Sequence, residues 1–206
     1  MDDSNPEPYK TKKKPYKKRE KRPPKKISER YLRNSGMYYL ERFTASSGHF
    51  KTVMARKINK SCYHHKDQDR EECLAMLDKV TEDLLKQGYL DDDGYVRGMV
   101  TSLRRAGKSK KAIIAKLAQK RVPTSDIEKA LEHFDTENTE DPSEAEFFAA
   151  ITFARKKRLG PYDEREKYED VKALAILARN GYSYDTARRV LNVTEDEIYE
   201  LGYRVY

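Results

Sequence analysis

Apolar residues recur every three or four positions along most of the chain. Tyr95, Met99 and Leu103 lie four apart, with Val96 and Val100 beside them, and predict a helix from about Asp92 to Arg105. Gly107 breaks that stripe, Ser109 is placed to cap a second helix, and Ile113, Ile114 and Leu117 form its apolar side. Pro123 then stops the chain before a third helix, which Thr124 or Ser125 is expected to cap. Its buried side is Ile127, Ala130, Leu131 and Phe134. No alternating β-branched run long enough for a convincing strand intervenes. The pattern predicts an all-α fold whose unit is three short helices in about 45 residues.

That unit recurs. Leu40, Ser46, Phe50 and Met54 return at an offset of 63 as Leu103, Ser109, Ile113 and Leu117. LAQKRVPTSDIEKAL, from Leu117 to Leu131, aligns without a gap at an offset of 60 with LARNGYSYDTARRVL, from Leu177 to Leu191. Two ordered matches over three segments predict tandem three-helix repeats forming an elongated, curved array, with repeat 1 at 29–90, repeat 2 at 91–135 and repeat 3 at 141–206. In repeat 3, Ser143 to Glu146 reads as a capping box before Phe147, Phe148 and Ile151. A helix from about Glu166 to Asn180, another from Ser183 and a short turn from Thr194 to Glu200 follow. Repeat 1 is less regular. Asn34, Ser35 and Gly36 interrupt its opening, Lys57 stands where a glycine should end its second helix, and NKSCYHHKDQDREEC reads as an insertion around 59–73.

Charge changes this picture in two places. Residues 1–28 carry 11 Lys or Arg against 4 Asp or Glu, which accounts for most of the net charge of +8, and five of the eight prolines. Such a segment has almost nothing to bury and is expected to be a disordered basic tail. As a polyelectrolyte arm it would gain affinity by neutralising phosphates, with Tyr9 and Tyr16 able to stack on bases; as a solubilising extension it would bind nothing. Within the body, nine basic residues and no acidic one lie between Arg97 and Arg121, whereas six acidic residues and no basic one lie between Asp135 and Glu146. One-signed segments focus potential and point to an anionic partner. The candidate contacts are Arg104, Arg105, Lys108, Lys110, Lys111, Lys116 and Lys120, with Arg155, Lys156, Lys157 and Arg158 as a second cluster extended by Arg188 and Arg189.

Candidate chemistry is thin. In GYLDDDGYV, an EF-hand register with Gly94 at its sixth position puts Tyr89 first and Val100 twelfth, neither a calcium ligand of the required kind. Asp91 or Asp92 instead suits a helix N-cap, and the remaining acids suit the positive end of the helix dipole. Cys62, His64, His65 and Cys73 are residue types that zinc accepts, but their spacing matches no common knuckle; free cytosolic thiols are the expectation. His49 and His133 stand alone. No phosphate-cradling glycine loop, nucleophile with a base, or His-carboxylate motif is present, and the fifteen tyrosines lack the Arg/His company of a recombinase nucleophile. A non-enzyme without cofactor or metal is expected. No apolar run approaches the roughly 18 residues that would span a bilayer, and two cysteines suit a reducing compartment, so the chain is expected in the cytoplasm, away from membranes.

Four motifs in order carry a resemblance: GYLDDDGYV, KSKKAIIAKLAQKRV, AEFFAAITFARKK and ARNGYSYDTARRVL. Together they resemble the RecX family, regulators of the RecA recombinase. The family's Tyr-Leu-Asp-Asp with a following aromatic and small residue is met by Tyr89, Leu90, Asp91, Asp92, Tyr95 and Val96. Its paired lysines after an alanine-rich helix are met by Lys156 and Lys157, and its closing Gly-aromatic-Ser-Tyr-Asp by Gly181, Tyr182, Ser183, Tyr184 and Asp185. The resemblance covers about residues 29–195. It implies three-helix repeats and a non-enzymatic modulator, here expected to be a monomer, that binds the RecA filament on single-stranded DNA and restrains ATP hydrolysis and strand exchange. A helical module acting on DNA directly is the alternative that charge alone leaves open.

Overall fold

The computed structural model describes residues 23–139, 141–163, 169–194 and 196–197, and every regular element among them is helical. The helices are α1 (Glu29–Leu40), α2 (Ser47–His64), α3 (Arg70–Lys86), α4 (Asp92–Arg105), α5 (Lys110–Ala118), α6 (Thr124–Asn138), α7 (Ala145–Lys157), α8 (Asp170–Arg179) and α9 (Tyr184–Leu191). Two short 3-10 turns, Pro142–Glu144 and Gly160–Tyr162, flank α7. The expected tail falls largely on residues 1–22, outside those described, as does the start of the helix expected from Glu166.

Local chemistry sets most of the boundaries. Asp91, extended at the N-cap of α4, accepts from the Gly94 amide at 2.9 Å. Ser46, Ser109 and Ser183 cap α2, α5 and α9 in the same way. Neither Thr124 nor Ser125 caps α6: Pro123 holds the cap position without a side-chain bond, its fixed φ leading directly into the helix. The capping box expected at Ser143 rests on a side chain outside the described set, and its Glu146 is committed elsewhere, as described below.

Buried side chains fall into three clusters in chain order. Leu32, Phe50, Met54, Ile58, Leu77 and Leu84 centre the first, Val100, Ile113, Leu117, Ile127 and Leu131 the second, and Ala150, Ile151, Ala154, Leu177 and Val190 the third. Each large apolar side chain withdrawn from water contributes about 1.5 to 3 kcal/mol. In α7 the burial runs almost all round, from Ala145 to Ala154, because this helix serves both its own unit and its neighbour.

The first unit departs from the sequence reading. Asn34, Ser35 and Gly36 do not interrupt α1, which is continuous; Gly36 is where α1 presses on α2, since a Cβ there would stand 2.7 Å from Phe50 Cζ. The segment around 59–73 is no insertion loop. α2 simply continues to His64 and α3 begins at Arg70. The added turns clasp the chain entering α1. The Ser61 hydroxyl donates to the Lys25 carbonyl at 2.9 Å, His65 Nε2 lies 2.8 Å from the Pro24 carbonyl, and Gln68 makes paired bonds with the Ile27 backbone at 2.8 and 3.0 Å.

Candidate functional site

The units are joined twice by one device. Ser46, capping α2, donates its hydroxyl to the Lys120 carbonyl just past α5 at 2.6 Å; Ser109, capping α5, donates to the Asn180 carbonyl just past α8 at 2.6 Å. Both serines are buried, so each hydroxyl accepts a helix amide and donates across the joint at once. An acid from the first turn of the next unit completes each joint. Asp92 accepts from the Ser47 amide at 2.6 Å and its hydroxyl at 2.5 Å; Glu146 accepts from the Lys110 amide at 3.0 Å. These carboxylates also sit where the dipoles of α2 and α5 favour negative charge.

A glycine lets the backbones close in each joint, but from opposite sides. Gly48 faces Arg121, whose Cβ is 2.6 Å from where a glycine Cβ would be, and Gly181 faces Lys111 and Ser109. Arg121 and Gly181 share the left-handed conformation, at φ 60° and 91°. The three aspartates thus divide their labour: Asp91 caps α4, Asp92 ties it to α2, and Asp93 pairs with Arg97 at 3.0 Å.

Arg104 does not belong to the outer basic surface. It is 1% exposed and sits between units two and three, its Nη2 and Nε on Asp135 at 2.7 and 3.1 Å and its Nη1 on Glu146 at 2.6 Å. Burial alone would lower its pKa, but the bonds to the two carboxylates outweigh burial and hold the guanidinium charged. Burial in turn raises Asp135 against the pull of Arg104. The acidic segment from Asp135 to Glu146 therefore meets the basic one around this buried cation. Tyr182 adds a hydroxyl to the Gly107 carbonyl at 2.9 Å.

The other sequence candidates are distributed over the surface. Arg105, Lys110, Lys111 and Lys116 are exposed; Lys108 is half-buried with Nζ 5.9 Å from the Phe153 ring centroid. Lys120 is half-buried beside His49, 3.4 Å from Nε2. Arg155, Lys156, Lys157 and Arg158 are exposed at the C-terminal end of α7, where they favour the helix dipole. Two clusters that are separate in sequence meet here, because Lys156 Nζ donates to the Arg105 carbonyl at 3.1 Å. Arg188 is exposed, whereas Arg189 is held by Glu144 at 2.7 Å and stacks 3.8 Å from the Phe147 centroid. Sequence reading missed the surface aromatics Tyr38, Phe43 and Tyr89; periodicity marks them as apolar but cannot say that nothing covers them.

Cys62 is half-buried and Cys73 buried, both free; burial first, then contact with Cys62, pushes the Cys73 thiol up to about 11. The His64 and His65 rings meet edge to face, 4.7 Å apart, and among the described residues no group of three or more His, Cys, Asp or Glu is placed to hold a metal. No helix among them is long and apolar enough to cross a membrane.

These features define a class, the tandem three-helix array whose units are joined through helix caps. A family model described as "RecX, second three-helix domain" matches residues 91–131, which span α4, α5 and about half of α6. The regulatory protein RecX of Myxococcus xanthus is 34% identical over 187 residues, 86% of this chain and 94% of that protein. That of Agrobacterium fabrum is 28% identical over 81% of this chain and 85% of its own length. The crystal structure of a regulatory protein RecX shares the fold, with a TM-score of 0.54 at 19% identity over 80% of this chain and 72% of that one. The chain belongs to the RecX family. Its relatives bear the name of regulatory proteins, not of enzymes.

Proposed function

We propose that this chain is a non-enzymatic regulator that binds the RecA filament on single-stranded DNA and restrains its ATP hydrolysis and strand exchange. The observation that carries this reading is the match to the Myxococcus xanthus regulatory protein along almost the whole of both chains. The geometry supports it physically. Small units joined in series offer an extended surface able to follow a helical polymer, and each unit contacts its neighbours through the same caps. Arg105, Lys110, Lys111, Lys116 and the run from Arg155 to Arg158 present cations to solvent for phosphate or acidic protein surface. α5 carries mainly lysine on its outer face, which suits phosphate rather than base edges and weighs against a sequence-reading DNA module. The test is co-sedimentation. The chain is expected to pellet with RecA assembled on poly(dT) in the presence of a non-hydrolysable nucleotide, beyond the amount that pellets with poly(dT) alone. Recovery no greater than with poly(dT) alone would overturn the reading.

A further inference from the structure

Two exposed aromatic side chains line one groove, Phe43 at 53% and Tyr89 at 52% exposure, and Tyr38, 62% exposed, is linked to Phe43 through Arg42. Scattered surface aromatics need no explanation, but a cluster marks a binding surface. The groove, about 440 Å3, lies between the α1–α2 loop, the α3–α4 loop and the outer face of α4, and is lined by Phe43, Tyr89, Tyr95 and Met99. Gly98 leaves the α4 backbone open, with no atom within 4 Å of where a Cβ would stand. Gly98 also lines a second depression, formed with Ser102, Arg105 and Lys156, so the groove adjoins, along one face of α4, the place where the two exposed basic clusters meet. At the aromatic end the Arg42 guanidinium lies 5.4 and 5.7 Å from the Tyr38 and Phe43 ring centroids. Asp91, which also lines the groove, is turned to the Gly94 amide.

Flat apolar rings with cations at both ends complement a polymer that carries flat apolar groups and one negative charge per residue. Single-stranded nucleic acid has that chemistry, whereas a duplex hides the faces of its bases. We propose that the groove is a single-strand site in which bases stack on Phe43 and Tyr89 while Arg105 and Lys156 meet phosphates. It goes beyond the filament role, and its test contains no recombinase in the binding steps, so its failure leaves that role standing.

The test uses the full chain and fluorescein-labelled strands followed by anisotropy. Oligo(dT) is expected to bind at least about tenfold more tightly than an abasic strand of equal length. Phe43→Ala and Tyr89→Ala are each expected to weaken oligo(dT) binding about five- to tenfold without changing abasic binding. Arg105→Ala and Lys156→Ala are each expected to reduce the salt slope by about 0.7. The basic tail is present in every variant, so a difference between variants is assigned to the groove. Since the chain has no tryptophan, Phe43→Trp supplies a single reporter, whose emission oligo(dT) is expected to quench even if an alanine variant folds poorly. Equal binding of oligo(dT) and abasic strand, or unchanged indole emission from the Phe43→Trp variant at saturation, would overturn the proposal. So would alanine variants that bind oligo(dT) normally but no longer pellet with RecA, which would assign the groove to a protein.

Discussion

The Ser109 hydroxyl donates to the Asn180 carbonyl at 2.6 Å, and Ser46, 63 residues earlier, makes the same bond to Lys120. Removing either hydroxyl uncaps a helix and strands a carbonyl at the joint. Ser46→Ala and Ser109→Ala are each expected to cost about 2 kcal/mol in urea unfolding, with similar values at the two joints. A cost at one site and none at the other would show that the joints are not equivalent. Gly181→Ala should cost more than about 1 kcal/mol, because it adds backbone strain at φ 91° to a Cβ only 2.5 Å from Ser109 Oγ.

Arg104 gives the largest expected effect. Arg104→Ala leaves Asp135 and Glu146 facing each other without their cation, and a loss of about 3 to 5 kcal/mol is expected. In a double-mutant cycle, adding Asp135→Ala should cost much less in the Arg104→Ala background than alone, and additive losses would refute the pairing.

Two glycines on helices should respond with opposite sign. Gly36→Ala drives a methyl against the Phe50 ring and is expected to destabilise by about 1 to 3 kcal/mol. Gly98→Ala meets open space in mid-helix and is expected to stabilise by up to about 1 kcal/mol. Thermal and urea unfolding of both variants decide the point.

His49 makes the joint between units one and two sensitive to acid. Burial first, then Lys120 and Arg56, hold its pKa below the ordinary value of 6.5, so the folded chain favours the neutral ring. Its contribution to stability is whole above that value and is lost as pH falls through the lower folded one. The melting temperature should therefore fall on acidification from about pH 8 to about pH 5, and His49→Gln should flatten part of that fall.

Much of this architecture is legible in the sequence because its determinants are local. α4 begins and ends where Asp91 and Gly107 imply, and the Ser46 and Ser109 caps recur at the spacing that reveals the repeat. What escapes the sequence depends on distant partners. Arg104 reads as one more surface cation because its carboxylates lie 31 and 42 residues away. Asp92 can be read as part of a capping cluster, but not as the acid that ties α4 to α2. Lys57 stands where a glycine is expected, and the length of α2 comes from packing against α3 and the clasped entry segment rather than from any stop signal. Phe43 and Tyr89 carry no local mark of exposure at all.

The most direct measurement is RecA's ATP hydrolysis on single-stranded DNA, with increasing amounts of the full chain, at a salt concentration where the chain's own oligonucleotide binding has been abolished. Suppression that deepens with added protein and persists at that salt is expected of a filament regulator. Unchanged hydrolysis at saturating protein would contradict it.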